Sequence, residues 1–304
     1  MSLPDVLVIG APKAGTTALH RGLARHPQLF MSPVKEPKFF LTDGPPPRGG
    51  GPGDAQTYRE HIWRRSDYEA LFDAAPPGAL RGESTPFYLY DQEAQLRIHR
   101  LIPHVRMIAV LRDPVERAHS NWAHLWSAGL EPIGDVVEAC AAQERRVRAG
   151  WSAFWRYVDL GRYGEQLQHL FKLFPREQVL LLRYEELRDR PAAALDEICA
   201  FLGVRTGVLD ALPRENVTPH VADSPGNRAL QALLRGGARI GAHMPEAVRK
   251  AARRPFLALL QRDPRTRRPP TPQQRARLLP YFEDDIALLS EITGWDCTDW
   301  LKVA

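Results

Sequence analysis

The residues with the clearest chemical potential lie near the amino terminus. Val6-Leu-Val-Ile-Gly-Ala-Pro-Lys-Ala-Gly-Thr-Thr-Ala-Leu19 runs from an apolar stretch through a turn of small residues into a helical pattern. Successive backbone N–H groups in such a turn form a concavity for an anion, and the amino end of the helix adds the positive end of its dipole. Gly10 and Gly15 permit a tight turn and close approach of a phosphate. Thr16 and Thr17 offer hydroxyls at the first helical turn. Against the ATP-binding pattern GxxxxGK(S/T), Gly10 and Gly15 are in register, but Thr16 stands where the lysine belongs. The lysine is Lys13, inside the turn. There it serves one phosphate and its substituent, which suits a nucleotide with a single 5′-phosphate used without a metal.

A second anion site is expected at Arg106-Met-Ile-Ala-Val-Leu-Arg-Asp-Pro-Val-Glu-Arg-Ala-His-Ser-Asn-Trp122. Arg112 ends an apolar run, Asp113 is a good N-cap and Pro114 a good first helical residue. Ser120 follows Asp113 by two helical turns and returns to the same face. An arginine fork and a serine on that face can converge on one phosphate. Two phosphate cradles at separate strand ends match a 3′,5′-bisphosphate better than a triphosphate.

The elements that must position these groups are legible as an alternation. Val6–Gly10, Leu80–Glu83, Arg106–Leu111 and Val179–Arg183 read as buried strands. Helical spacing covers Thr16–Arg25, Gln92–Ile102, Val115–Trp126, Tyr163–Phe174, Ala192–Leu202 and Pro280–Thr293. The pattern implies an α/β fold, a P-loop-like parallel sheet flanked by helices, with ligands beyond the carboxyl ends of the strands. One domain over residues 1–304 is expected. Its core spans about 5–205, and a helical, Arg-rich extension follows over about 206–304. Asp43–Asp54, dense in Pro and Gly, reads as a flexible loop. Asn216–Asn227 reads as a polar loop, and Arg249–Arg277 as a basic solvated face.

The 304 residues are 44% hydrophobic and 25% charged, which excludes a disordered, collagenous or coiled-coil chain. No apolar run approaches the length of a membrane span, and Met1–Gly10 has no basic leader region, so a cytoplasmic protein is expected. The net charge of +5 is spread among 36 acidic residues, so a compact anion fits better than a nucleic acid. Cys140, Cys199 and Cys297 have no metal-ligand spacing and read as reduced structural thiols.

APKAGTTAL resembles the 5′-phosphosulfate loop of sulfotransferases that use 3′-phosphoadenosine 5′-phosphosulfate (PAPS), most of all the bacterial and glycosaminoglycan-type branches. The Arg112 string is similar to that family's 3′-phosphate motif, R-(D/N)-P-x-x-R-x-x-S. Gly82–Tyr90 and Gly161–Leu187 resemble further family segments, and the likeness runs from about residue 5 to 300. It implies a PAPS donor and an adenosine 3′,5′-bisphosphate product, with no metal. The nucleotide would be held by Lys13, Ala14, Gly15, Thr16, Thr17, Ala18, Arg112 and Ser120. Lys13 would stand at the leaving phosphate. Glu36, in Ser32-Pro-Val-Lys-Glu-Pro-Lys-Phe-Phe40, would be the general base, with His119 and His124 as competitors. The acceptor would present a hydroxyl, less readily an amine, on a small molecule or carbohydrate. Lys35, Lys38, Ser84, Thr85 and Tyr163 are the residues expected to face it, with Trp122 a weaker choice. Some glycosaminoglycan-type enzymes carry a lysine where this chain has Glu83-Ser84-Thr85. The competing readings are a P-loop kinase-like phosphotransferase and an inert nucleotide-binding protein of the same fold.

Overall fold

The computed structural model describes residues 2–213, 218–240, 246–263 and 268–303. Five parallel strands form one sheet in the order β2-β3-β1-β4-β5. They are β1 (Val6–Gly10), β2 (Leu29–Met31), β3 (Leu80–Ser84), β4 (Arg106–Leu111) and β5 (Val179–Arg183). All of β1 is buried, as expected of a central parallel strand covered on both faces. Four strands fall where the apolar runs put them. β2 is additional, since three residues are too few to display a period. It pairs Leu29 with Leu80 and makes one edge of the sheet.

Helices Gln92–Leu101, Pro114–Ser127, Tyr163–Leu173 and Pro191–Leu202 lie within a residue or two of the expected spans. The last expected helix starts at Glu283, after a short 3-10 turn at Leu279–Tyr281. Its buried Ile286 and Leu289 pack with Phe282 and Trp300 in the main core. Among the described residues no helix is long and apolar enough to cross a membrane, and no cluster of His, Cys, Asp and Glu could hold a metal ion. The three cysteines are buried free thiols.

Two expectations change. The 43–54 loop is anchored at its end: Asp54 opens a short helix, Asp54–Arg59, and is only 3% exposed. Its carboxylate accepts from the Gly51 N–H (2.6 Å), the Ser152 N–H (2.8 Å), the Ser152 hydroxyl (2.7 Å) and the Trp155 indole (2.9 Å). A buried carboxylate with a full set of donors is a strong anchor, which loop composition does not reveal. In the Arg-rich segment, Arg253 donates to the Ala128 carbonyl (3.0 Å) and Arg275 pairs with Asp113 (2.6 Å), so these two reach into the body of the fold rather than into solvent. Residues 264–267 of that segment, and Asn216 and Val217 of the expected polar loop, lie outside the described residues. Helices Pro225–Ile240 and Glu246–Leu260 contribute Leu230, Leu234 and Leu260 to a small second core around Trp126.

Removing the Asp54 carboxylate leaves four donors of this network without their acceptor. Asp54→Ala is expected to lose about 2–4 kcal/mol in urea unfolding, and Asp54→Asn distinctly less.

Candidate active site

Each strand hands one chemically useful residue to a common cleft as its chain leaves the carboxyl edge of the sheet. Lys13 follows β1, Glu36 follows β2, Phe87 follows β3, Arg112 follows β4 and Tyr184 follows β5. These line a cavity of about 380 Å³ together with Gly15, Thr16, Thr17, Ala18, Lys38, Ser120, His124 and Phe154. The sheet order reverses at β1, so Lys13 and Arg112 flank the point where open α/β sheets bind ligands.

The turn after β1 is built as its composition requires. Gly15 has φ of 81° at the N-cap of helix Thr16–Leu23, and a Cβ there would come within 3.2 Å of the Tyr184 ring. The first-turn N–H groups of Thr16, Thr17 and Ala18 have no acceptor within the helix and face the cleft end. Ala14 departs from expectation. Its side chain is fully buried and its N–H donates to the Ala11 carbonyl (3.2 Å), so it shapes the turn from beneath. Lys13, Glu36 and Lys38 all have positive φ, at 72°, 61° and 62°. Non-glycine residues seldom adopt this conformation, and three of the cleft's ionisable residues do so here.

Arg112 is only 8% exposed. Its guanidinium donates to Glu116 (Nη2 at 2.6 Å, Nε at 3.2 Å) and to the Lys13 carbonyl (Nη1 at 3.3 Å). It also lies 4.7 Å over the Tyr184 ring. The helix carrying Ser120 is capped by Asp113, whose Oδ1 accepts from the N–H groups of Val115 (2.9 Å) and Glu116 (3.0 Å). Tyr184 was not foreseen. Its place directly after β5 was the available signal, because strand ends were already expected to carry the site.

Residues 36–40 are docked onto the end of β3. The Glu36 N–H donates to the Ser84 carbonyl (3.0 Å), the Lys38 N–H to the Thr85 hydroxyl (3.3 Å) and the Phe40 N–H to the Tyr88 hydroxyl (3.3 Å). This corrects the acceptor-side expectation for Ser84 and Thr85. Both are fully buried. The Ser84 hydroxyl is bound to His20 Nδ1 (2.9 Å), and the Thr85 hydroxyl donates to Glu83 (2.9 Å), so they hold the Glu36 segment from below. Tyr163 is corrected for a similar reason: it is buried, and its hydroxyl donates to the Arg112 carbonyl (3.0 Å). Trp122 and His119 pack against each other away from the cleft wall. Lys35 does not line the cleft but reaches Glu36, with 2.5 Å between Nζ and Oε1.

Electrostatics around Glu36 follow from its neighbours. Burial pushes its carboxyl up, but the ammonium groups of Lys35, Lys38 and Lys13 outweigh burial and hold it below the usual carboxylate range. It is therefore ionised, and a proton acceptor, at neutral pH. Glu83 behaves oppositely. It is fully buried beneath the segment, bonded to Tyr68 (3.2 Å) and Thr85, and burial raises its carboxyl to about 7. Tyr68 stacks on Phe39 with 4.2 Å between centroids, so Glu83 braces the Phe-Phe pair. His20 (7% exposed) and His61 (9% exposed) are each lowered to about 4, burial being the largest cause.

Residues 4–207 match the model of a family described as "Sulfotransferase family". Mouse heparan sulfate glucosamine 3-O-sulfotransferase 6 is 29% identical over 248 residues, which is 81% of this chain and 66% of that protein. Human heparan sulfate glucosamine 3-O-sulfotransferase 3B1 is 29% identical over 68% of this chain and 48% of its own length. The chain thus spans just under two thirds of the first of these relatives and about half of the second. A crystal structure of a sulfotransferase from Alicyclobacillus acidocaldarius matches with a TM-score of 0.75 at 27% identity, covering 99% of this chain and 100% of that one.

The depressed histidines give a pH signature. Unfolded imidazoles take up protons below about 6.5, whereas the folded His20 and His61 rings resist them down to about 4. Their contribution to stability therefore falls as pH drops from 6.5 towards 4. His20→Gln is expected to flatten that acid limb in urea midpoints, and the wild-type His20 ring signal to stay neutral by NMR between pH 5 and 8.

Proposed function

The chain belongs to the sulfotransferase family, and on that premise we propose that it moves a sulfuryl group from PAPS to a hydroxyl of a small-molecule or carbohydrate acceptor. The observation that carries the reading is the meeting of Lys13 and Arg112 in one cleft, with the Arg112 guanidinium donating to the Lys13 carbonyl at 3.3 Å. Lys13 and the first-turn N–H groups of Thr16, Thr17 and Ala18 form the 5′ cradle. Arg112 and Ser120 form the 3′ cradle. The buried, π-stacked guanidinium and the uncapped helix end suit two separate phosphates of one nucleotide. Heparan sulfate is the acceptor named for the mammalian relatives, and it supports a carbohydrate hydroxyl as one acceptor class here.

The reaction balances as an in-line displacement at sulfur. The acceptor oxygen forms a bond to sulfur while the bond from sulfur to the bridging phosphate oxygen breaks. Adenosine 3′,5′-bisphosphate leaves with that electron pair, and the acceptor proton passes to the Glu36 carboxylate. Lys13 neutralises the charge that grows on the bridging oxygen. Such transfers ask the protein for positioning and charge stabilisation more than for covalent chemistry. Glu36 is suited to the base role because its three ammonium neighbours keep it ionised. A Walker-type kinase would need a lysine at position 16, where this chain has Thr16.

Adenosine 3′,5′-bisphosphate is expected to raise the melting temperature with no metal present. Stabilisation by ATP with Mg²⁺ alone would overturn the reading. In assays with labelled PAPS, Lys13→Ala is expected to lower kcat by about 10²–10³-fold, and Glu36→Gln by about 10²–10⁴-fold with nucleotide-induced stabilisation retained. Sulfation unchanged in Glu36→Gln would move the base elsewhere.

A further inference from the structure

The four most exposed large apolar side chains among the described residues fall in two helices of the carboxyl-terminal extension. They are Leu233 on helix Pro225–Ile240, and Val248, Phe256 and Leu259 on helix Glu246–Leu260, each 44–66% exposed. Such residues need no explanation when scattered singly, but a contiguous set does. Val248, Ala252, Phe256 and Leu259 follow one another at spacings of four, four and three, so they share one helix face, and Ala252 is exposed as well. The opposite face holds that helix to the body. Leu260 is buried beside Trp126, Leu257 packs against the same small core, Arg253 donates to the Ala128 carbonyl (3.0 Å) and Gln261 to the Ser127 carbonyl (2.8 Å). On the other helix Leu230 and Leu234 enter this core, while Leu233 stands outside it with the exposed Ala229 and Gly236.

The same segment concentrates the chain's positive charge. Residues 225–277 carry 13 Lys and Arg against 2 Asp and Glu, whereas the remainder carries 28 against 34 and is net acidic. The overall +5 conceals this segregation. Arg235, Arg253 and Arg275 are engaged inward, with the Glu131 carbonyl, the Ala128 carbonyl and Asp113. Arg254, Arg262, Arg268 and Arg277 are exposed, and Arg262 follows the last apolar residue of the stripe by three positions.

We infer that these two helices dock the protein on the surface of an anionic membrane. The apolar stripe enters the boundary between headgroups and acyl chains, and the exposed arginines meet lipid phosphates. An apolar face beside a surplus of arginine is what an interfacial helix requires, and each cation near an anionic leaflet adds to the attraction. The helices lie on the membrane rather than cross it, as none of the described helices is long and apolar enough to span. A soluble polyanion would use the charge but gain nothing from Val248, Phe256 and Leu259. A second copy docked about a twofold axis would set one net-positive segment against the other. The groove along helix Glu246–Leu260 includes Gln56, whose neighbour Thr57 lines the cleft, so the docking helix stands next to the cleft. The inference does not rest on the nucleotide reading.

The test is sedimentation of the full chain with vesicles of phosphatidylcholine alone, and of phosphatidylcholine mixed with phosphatidylglycerol at about 2:1. Partitioning onto the mixed vesicles is expected to be stronger by about tenfold or more, and to weaken as salt is raised. Phe256→Glu and Leu259→Glu are each expected to lower it about tenfold, and Arg254→Gln combined with Arg262→Gln by a similar factor. Urea midpoints of these surface variants are expected to stay close to wild type. No partitioning, equal partitioning onto the two vesicle types, or partitioning unmoved by both glutamate variants overturns the inference. So does binding of a heparin octasaccharide without binding of vesicles, which makes the surface a polyanion site. A dimer by light scattering that Phe256→Glu converts to monomer assigns the stripe to a second copy and overturns it as well.

Discussion

The pairing of β1 with β4 is the constraint on which the cleft depends. It sets Val6 against Arg106 and Val8 against Ile108, so the two strands finish side by side. The turns beyond them are then close enough for Arg112 to hydrogen-bond the Lys13 carbonyl. One side chain thereby ties the two turns together. The distance between Lys13 and Arg112 is set by a sheet register, which is far stiffer than any loop.

A cleft of this kind gathers like charges, and the fold manages their repulsion locally. Arg112 is paired with Glu116 and lies over an aromatic face, while Lys38 is opposed by Glu60. Glu36 sits among three ammonium groups and is kept ionised by them. Glu83, a few residues away in the fold, has no such neighbours and is shifted in the opposite direction by its own burial. Two carboxyls on adjacent segments thus hold different protonation preferences because of what surrounds each. Such separation is a common preparation for acid–base work.

Four of the five strands and the two turns that line the cleft were legible in the sequence because they depend on local grammar. Apolar runs make strands, Gly15 allows a positive φ, and Asp113-Pro114 starts a helix. What escaped was set at a distance. β2 is strand-like only because β3 lies beside it. Ser84, Thr85 and Tyr163 are polar residues near the site, and only the packing shows that their hydroxyls turn inward to hold Glu36 and Arg112 in place. Asp54 looked like the end of a loose loop, and its anchor residues are Ser152 and Trp155, about a hundred positions away. Tyr184 was missed although the strand-end rule pointed to it.

Asp113 caps its helix with one carboxylate oxygen and binds Arg275 with the other. The same arginine reaches the carbonyls of Trp300 and Lys302. The start of the helix that presents Ser120 is therefore fastened by a segment translated 162 residues after its cap. A chain still emerging from the ribosome holds the turn after β1 long before Arg275 exists to fasten the Asp113 cap, so the two walls of the cleft are secured at widely separated stages of translation.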